Sequence, residues 1–574
     1  MIEEGKKMLK KIPYGISDYK LIKEDNYYFI DKTKFIPDIE NQGRFLMFLR
    51  PRRFGKSLLV SMLESYYDVA YKKDFQSFFS GSYILNNKTS EAHKYLVLKF
   101  DFSAIDVSDV VNSFKLNLLS TLDNFCEKYK IKLKIEIENP IDRLKVIFDY
   151  LQKRGESLYI LIDEYDNFSN KLLLENKNSY EKIISDKTAL FKQFFTTLKA
   201  GTSGLDAPLK RIFITGVTPM TSYDVTSGFN IGKNLSLSPI FNNLVGINGA
   251  ELAELLEYYN LKDIDLTLLK EWYNNYQFSQ DAKEKIYNTD MILYYIDYYL
   301  AFKKSPNELI DINVRSDYSK LRDIIYTNGK LNGNFGILNT LISGENISID
   351  TLVQDFSALN LSKEENFKSL LFYLGLVTID KAAIDIELKI PNETIKRIDI
   401  DFLKDSLALE NIFDLKTSLL SRYLKEFALN GDIEVFRYLA DEIKKSTAIR
   451  DYIYNEQTVK AMYLAYLSLT SYYVIKSEAE LNKGFADIFL RPFNPYVEYV
   501  GLVELKYIKR TKKVTKKSLK KLVEEATEQL ERYEDDELVT EYLEKGKKLQ
   551  KVVLIFNGWE LIYCEIGHFH TILS

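Results

Sequence analysis

Four short apolar runs in the first 245 residues, separated by longer helical stretches, constrain the fold of this chain most strongly. The runs are FLMFLR (45–50), YLVLKFDF (95–102), LYILIDE (158–164) and RIFITGV (211–217). Almost continuously apolar strands are typical of parallel sheets that are buried on both faces. The segments between them are long enough for crossover helices. We therefore predict an α/β domain with a parallel sheet over residues 1–245.

The remaining 329 of the 574 residues differ in pattern, and this length favours two to four domains. Helical periodicity dominates residues 246–445, which predicts a helical lid followed by a connecting domain. After residue 446 come a helix, two strands joined by a proline-containing turn, a basic stretch and a closing pair of strands. This order predicts a separate α/β domain over residues 446–574.

A candidate phosphate-binding loop, PRRFGKS, follows the first apolar run and opens a helical segment. Backbone N–H groups at the start of a helix favour an anion. In this strand–loop–helix context, Arg53, Gly55 and Lys56 would hold the phosphates of ATP, and the Ser57 hydroxyl would ligate Mg²⁺. Arg50 stands where the usual motif has its first glycine, so a basic turn that merely opens a helix is the alternative.

Acidic and hydroxyl side chains end two of the other apolar runs. LYILIDE ends in Asp163 and Glu164, and RIFITGV contains Thr215 near its end. Asp163 would hold Mg²⁺ through water, Glu164 would orient or deprotonate the attacking water, and Thr215 would contact the γ-phosphate. A solvated strand end would also carry two carboxylates. Together with the GKS loop, the pattern predicts ATP binding and hydrolysis with Mg²⁺.

Several ordered segments resemble the AAA-ATPase-like proteins of bacteria. They are IPYGISDYKLIKEDNYYFIDKTKFI, FLRPRRFGKSLLVSML, LIDEYDNF and FITGVTPMTSYDVTSGFNIGKNLSLSPIFNNLVGI, and the resemblance extends over roughly residues 10–300. That family carries a degenerate RPRRFGKS-type loop, so the resemblance accounts for Arg50. WYNNYQF and IYNTDMI are similar to the lid of the family. The resemblance implies a P-loop NTPase-type sheet with a helical lid.

A second group of charged residues lies in two predicted strands, GFADIFL and YVEYVGLVELKY, joined by a turn with Pro495. Asp487 and Glu504 are almost equidistant from that turn and would face each other. Side-chain alternation places Glu504 and Lys506 on one face of the strand. The two carboxylates would bind Mg²⁺, and Lys506 would orient or help deprotonate the water that cleaves a phosphodiester. Glu456 would complete the metal shell or hold a second ion. An exposed cross-strand ladder of charges is the alternative.

The same segment, SEAELNKGFADIFL followed by GLVELKY, resembles the PD-(D/E)XK nuclease domain that is often fused behind this ATPase. The resemblance covers about residues 446–570. ATEQLERY is similar to the next helix of that domain, with Gln529 at the family's glutamine position. Phe485 departs from the pattern, because many relatives have arginine there. The resemblance implies a metal-dependent nuclease fold in which Asp487, Glu504 and Lys506 form the catalytic set.

The formal net charge of −4 provides no global basic field for nucleic acid, so binding would need a local patch. Residues 506–521 contain no acidic side chain. Within them Lys509, Arg510, Lys512 and Lys513 are predicted phosphate contacts, and a solvated loop is the alternative. The predicted partner is nucleic acid, with DNA favoured over RNA, and a homo-oligomer is left open.

Two cysteines cannot support a disulfide framework, and no run reaches the roughly 20 apolar residues of a membrane helix. We therefore expect a cytoplasmic protein without a membrane partner. The leading hypothesis is an ATP-gated nuclease with ATP and Mg²⁺ as cofactors. One alternative is a nucleotide-dependent switch whose C-terminal domain grips nucleic acid without cutting. Another is an ATPase whose C-terminal domain docks protein partners.

Overall fold

The computed structural model describes most of the chain and divides it into two compact units. The described residues are 9–106, 108–133, 137–168, 170, 190–220, 231–325, 335–357, 360–409, 412–446, 448–451, 453–470, 472–481 and 484–566. The first unit combines Met1–Thr327 with Ser348–Thr394, and the second combines Asn328–Ile347 with Ile395–Ser574. Each unit has its own sheet and core.

The first unit is built on a five-stranded parallel sheet. Its strands are β1 (Phe45–Leu49), β2 (Leu96–Asp101), β3 (Leu158–Asp163), β4 (Leu209–Gly216) and β5 (Lys233–Asn234), in the order β2-β3-β4-β1-β5. All four neighbouring pairs are parallel. Every residue of β3 is buried, as expected for a central strand covered on both faces. The predicted parallel sheet is confirmed.

Helices accompany this sheet, and side-chain caps begin several of them. Those up to β5 are Tyr19–Glu24, Ile36–Asn41, Lys56–Tyr67, Phe75–Phe78, Tyr83–Asn86, Val110–Lys128, Pro140–Arg154 and Leu190–Gly201. The Pro140–Arg154 helix shows why such segments are helical. Asn139 caps its first turn, proline takes its first position, and Gly155 ends it with φ +65°.

Helices also dominate the part of the first unit that follows β5, as predicted for a helical lid. They are Gly249–Tyr258, Leu266–Tyr273, Thr289–Phe302, Ile312–Ile325 and Glu364–Leu374. A small sheet accompanies them, formed by β6 (Ile347–Ile349), β7 (Thr378–Ala382) and β8 (Ile386–Lys389) in the order β6-β8-β7. A buried ion pair between Lys32 and Glu251, 2.7 Å apart, ties the N-terminal segment to the first of these helices.

The second unit contains a mixed five-stranded sheet. Its strands are β9 (Tyr473–Leu481), β10 (Gly484–Pro492), β11 (Tyr499–Ile508), β12 (Lys548–Asn557) and β13 (Glu560–Ile566), in the order β13-β12-β11-β10-β9. Only β11 and β12 run parallel, and the other neighbouring pairs are antiparallel. The predicted C-terminal α/β fold, including the hairpin of β10 and β11, is confirmed.

The second unit contains helices as well. They are Phe335–Ile342, Glu393–Leu409, Thr417–Asn430, Glu434–Lys445, Glu456–Leu467, Lys516–Glu534 and Glu537–Glu544. The Lys516–Glu534 helix buries Ala526 and Leu530 against Ala486, Leu502 and Val553 of the strands. Its apolar stripe therefore supplies one side of the core. Within the described residues of both units, each helix is too short or too polar to cross a bilayer.

Candidate functional site

The loop between β1 and the Lys56–Tyr67 helix has the backbone of an anion-binding turn. Gly55 adopts φ +100° at the helix N-cap, and Arg53 adopts φ +68°, both in the left-handed region. Lys56 is only 6% exposed, and its Nζ donates to the Pro51 carbonyl at 2.9 Å. Ser57 is half-buried in the first turn of the helix. The loop thus directs a helix N-terminus and a lysine at one small volume.

Asp163 and Thr215 meet beside this loop. Thr215 Oγ1 donates to Asp163 Oδ1 at 2.5 Å, which connects the ends of β3 and β4. Phe48 of β1 is aligned with Thr215, so the loop that follows β1 begins at the same edge. The structure therefore brings these predicted residues together at the carboxyl ends of three neighbouring strands, where open parallel sheets bind ligands.

Glu164 follows Asp163 in a conformation that is uncommon for a residue with a side chain. Its φ is +51°, in the left-handed region. Burial raises the pKa of Glu164, and the Lys56 ammonium opposes that rise. Burial likewise lowers the pKa of Lys56, and the carboxylates of Glu164 and Asp163 oppose the change. The lysine and the two carboxylates therefore share one electrostatic environment.

The two arginines of this loop have different surroundings. The Arg53 guanidinium makes ion pairs with Asp317 (Nε–Oδ2, 2.7 Å) and Asp290 (Nη1–Oδ2, 3.6 Å) of the helical region. Arg50 is 1% exposed and donates to the carbonyls of Leu49, Ser236 and Phe241 at 2.6–2.9 Å.

The burial of Arg50 explains why an arginine stands at this position of the loop. Its guanidinium lies 4.5 Å from the ring centre of Phe48 and 4.3 Å from that of Phe278. Burial lowers the pKa of Arg50 to about 9. Where the usual phosphate motif has a glycine, this chain therefore has an arginine that anchors the end of β1 inside the protein.

An apolar cavity adjoins Gly55. Its walls come from widely separated parts of the first unit and include Pro13, Tyr28, Leu59, Val245 and Leu293. No local motif signals this cavity, because its lining residues lie far apart in the sequence. It is lined mainly by apolar side chains and lies next to the start of the Lys56–Tyr67 helix.

In the second unit, Asp487 and Glu504 face each other. Antiparallel pairing aligns Ile488 with Val503, so Asp487 and Glu504 occupy the next opposed positions on β10 and β11. Asp487 Oδ2 accepts from the backbone N–H of Leu505 at 2.8 Å. This bond holds one oxygen of the carboxylate against the neighbouring strand.

Lys506 and Glu456 complete the group that the sequence predicted. Lys506 Nζ lies 2.7 Å from Glu504 Oε1, and Glu456 Oε2 accepts from the backbone N–H of Tyr507 at 3.2 Å. The Glu504 side chain is 3% exposed, and its Oε2 is buried with no hydrogen-bond partner among the described residues. A buried carboxylate oxygen without a donor is costly unless a cation or water satisfies it.

The electrostatics of this group reflect crowded, buried carboxylates. Burial and then the charge of Asp487 raise the pKa of Glu504 to about 7, although Lys506 opposes the rise. Burial and Asp487 also raise the pKa of Glu456. Burial lowers the pKa of Lys506, but the carboxylates of Glu504 and Asp487 outweigh it, so the net pKa is raised. Such perturbed groups are characteristic of functional sites.

Lys460 is a member of this group that sequence reasoning missed. Its Nζ lies 3.2 Å from Asp487 Oδ1, and the residue is 4% exposed. It follows Glu456 by four residues on the Glu456–Leu467 helix, so both side chains lie on one helix face. That spacing was the one available signal.

The carboxylates fit a divalent cation of the hard type. In the described parts of the chain, no three or more His, Cys, Asp or Glu side chains converge as a ready-made metal cage. Mg²⁺, however, is usually bound by one or two carboxylates and keeps several waters. The opposed Asp487 and Glu504, with the partnerless Oε2 of Glu504, provide that donor set.

The basic segment lies directly after β11. Lys509, Arg510, Lys512 and Lys513 are all exposed. The Arg510 guanidinium lies 3.9 Å from the ring centre of Trp559, a contact that holds one of these cations beside the strand end.

Gln529 is half-buried on the Lys516–Glu534 helix. Four residues further along the same helix, the Tyr533 hydroxyl donates to the Phe485 carbonyl at 3.0 Å. This bond attaches the helix to β10, two residues before Asp487.

Two family matches agree with this geometry. Residues 13–226 match a family described as predicted AAA-ATPase, and residues 454–566 match the PD-(D/E)XK nuclease superfamily. The chain therefore combines an AAA-ATPase-like domain with a nuclease-superfamily domain. Both resemblances drawn from the sequence are confirmed.

A curated relative and two solved structures are also similar to this chain. An Azotobacter chroococcum mcd 1 protein, described as "Uncharacterized protein in vnfD 5'region", is 25% identical over 287 residues, which are 50% of this chain and 51% of that protein. The chain thus spans about half the length of the curated relative it matches. The Aeropyrum pernix ORC2 protein (11% identity, TM-score 0.35) covers 68% of this chain and 98% of its own. Cdc6p from Pyrobaculum aerophilum (10%, 0.25) covers 65% and 92%.

Proposed function

We propose that this protein binds and hydrolyses ATP in its first unit and cleaves nucleic acid in its second unit, with Mg²⁺ at both sites. The observation that carries the cleavage half is the convergence of Asp487, Glu504 and Lys506 on one buried spot. Two opposed carboxylates beside an ammonium are suited to phosphodiester hydrolysis.

At the ATP site, the backbone N–H groups around Gly55 and the ammonium of Lys56 would bind the phosphates. Ser57 and Asp163 would hold Mg²⁺, which neutralises charge on the phosphates when bound. Glu164 would accept a proton from the attacking water or orient it, and its raised pKa favours such a role. Thr215 positions Asp163 through its 2.5 Å hydrogen bond.

The apolar cavity beside Gly55 is the proposed site of the adenine base. Tyr28 lines it and offers an aromatic surface for stacking. Gly55 lines the cavity and also belongs to the phosphate loop. A base in the cavity would therefore lie next to phosphates on the loop.

At the cleavage site, Asp487 and Glu504 would hold the divalent cation, which lowers the pKa of water and polarises the phosphate when bound. Lys506 would orient the attacking water and offset the charge that develops on the phosphate. Glu456 would add a further carboxylate to the metal shell. The exposed basic side chains after β11 would contact the phosphate backbone of the nucleic acid on either side of the cleaved bond. DNA is the favoured substrate.

The test is incubation of the full chain with matched DNA and RNA substrates, with and without ATP, and with Mg²⁺, Mn²⁺ or EDTA. We expect metal-dependent cleavage that disappears in Asp487→Asn and Lys506→Ala. Lys551→Met is the matched control, because it removes a lysine–carboxylate pair (Lys551–Glu534, 2.7 Å) elsewhere in the same unit. Absence of cleavage with every substrate and metal would refute the nuclease half of the proposal.

A second candidate is a nucleotide-dependent switch whose C-terminal domain binds without cutting. The observation that favours it is the ion pair of Lys460 with Asp487, since a lysine there competes with a metal ion. This candidate predicts salt-sensitive nucleic-acid binding that persists in Lys506→Ala. If the C-terminal domain only docks protein partners, the chain should not bind nucleic acid even at low salt.

A further inference from the structure

Lys460 pairs with one of the two carboxylate oxygens of Asp487. Asp487 Oδ2 is engaged by the backbone N–H of Leu505 at 2.8 Å, and Oδ1 lies 3.2 Å from Lys460 Nζ. On the facing strand, Glu504 Oε1 is bound by Lys506, whereas Oε2 has no partner in the described residues. Asp487 and Glu504 would hold a cation between the two strands, and Lys460 already pairs with one of these two carboxylates.

We propose that Lys460 is an exchangeable cation that occupies Asp487 in the metal-free protein and must be displaced before a divalent metal ion binds there. The inference rests on the proposed metal-dependent function of this site. It goes beyond that function, because it assigns control of metal affinity to a lysine outside the nuclease motif.

Two features make the exchange physically reasonable. Both side chains are buried, 5% and 12% exposed for Lys460 and Asp487, so an ammonium and a divalent ion on the same oxygen would repel each other with little screening. Lysine also has a flexible four-carbon stem, which lets the ammonium move without shifting the helix. Lys460 thus balances the carboxylates when metal is absent and lowers the affinity for metal.

Lys506 differs from Lys460 in this respect. It binds Glu504 Oε1 and leaves Oε2 available, so a metal ion can coordinate Glu504 while the Lys506 contact remains. Removal of Lys460 should therefore strengthen metal binding. Removal of a lysine that only stabilises the fold would not strengthen metal binding. The direction of the change in metal affinity therefore tests the inference.

The experiment measures Mn²⁺ binding to the full chain without nucleotide, by calorimetry, in the wild type, Lys460→Met, Lys460→Arg, Lys551→Met and Asp487→Asn. We expect Lys460→Met to bind Mn²⁺ about tenfold more tightly, which is a typical coupling between two ligands of one site. Lys460→Arg keeps a cation at Oδ1 and should stay close to the wild type. Lys551→Met should be unchanged, since its ion pair lies elsewhere.

Equal or weaker Mn²⁺ binding by Lys460→Met, with the wild-type circular dichroism spectrum retained, would overturn the inference. Lys460→Gln, which keeps a polar side chain, replaces it if the methionine variant fails to fold. Mn²⁺ binding that is the same in Asp487→Asn and the wild type would instead refute the proposed metal site. The two failures are therefore distinguishable.

Discussion

The two candidate sites both combine buried lysines with carboxylates, but their lysines have different partners. In the first unit, Lys56 donates to a neutral carbonyl of its own loop, at Pro51. In the second unit, Lys506 and Lys460 each pair directly with a carboxylate. The first arrangement leaves a positive charge available for an anion. The second balances negative charge until a cation replaces part of that balance.

The sites also differ in how the chain assembles them. The phosphate loop is one contiguous segment between β1 and a helix, and only Asp163, Glu164 and Thr215 come from elsewhere. The carboxylate site needs a hairpin and a helix that precedes it. A contiguous site depends on local backbone geometry, whereas an assembled site depends on packing. Four measurements test whether the two sites differ in this way.

The largest effect is expected at Lys506. Lys506→Ala should lower nucleic-acid cleavage by on the order of 10²–10³-fold, because one charge-stabilising donor is lost. Phosphate release from ATP should stay at the wild-type level, since Lys56 and Glu164 are intact. Initial rates of both reactions check this, with Lys551→Met as the control. Equal loss of both activities would show that the two sites cannot be treated separately.

The next effect concerns Arg50. Arg50→Met should destabilise the first unit by at least about 3 kcal/mol, because three buried carbonyls lose their donor at about 1–3 kcal/mol each. Urea unfolding followed by circular dichroism measures the change. A variant with unchanged stability but lost ATP affinity would contradict this, since Arg50 would then bind phosphate rather than anchor β1.

A smaller effect is expected at Lys56. Lys56→Ala should weaken ATP binding by roughly 10–100-fold, which corresponds to the loss of one charged hydrogen bond of about 1.5–3 kcal/mol. Glu164→Gln should bind ATP almost normally and hydrolyse it slowly, because it keeps its shape and loses its basicity. Calorimetry with a non-hydrolysable analogue and a phosphate-release assay separate the two. Weak binding by Glu164→Gln would argue against its catalytic role.

The last effect is the pH dependence of stability in metal-free protein. The pKa of Glu504 is raised from 4.5 to about 7 in the folded state, so between these values the folded protein binds more protons than the unfolded protein. Stability of the second unit should therefore fall as pH rises through this window, by at most about 1.4 kcal/mol per pH unit.

Urea unfolding in EDTA between pH 5 and pH 8 tests this, with Glu504→Gln as the comparison. The glutamine variant should lack the Glu504 contribution to the slope. Parallel pH profiles of the two proteins would show that Glu504 does not titrate in this window. The pH dependence of the stability of the first unit should be the same in the wild type and in Glu504→Gln.

The features that depend on neighbouring residues could be predicted from the amino-acid sequence. The four apolar runs correspond to β1–β4 to within two residues at each end, and the alternation along β11 correctly paired Glu504 with Lys506. Strand periodicity, helix caps and turn residues are local properties, so adjacent residues suffice to predict them.

Which distant side chains contact each other is known only from the tertiary structure. It placed Lys460 on Asp487, turned Arg53 toward Asp317 and buried Arg50 among carbonyls of separate segments. Contacts of this kind depend on how helices pack on the sheet, and residue spacing in the chain does not encode that packing. The motifs can therefore be recognised in the sequence, whereas the contacts that their charged side chains make with distant residues are known only from the fold.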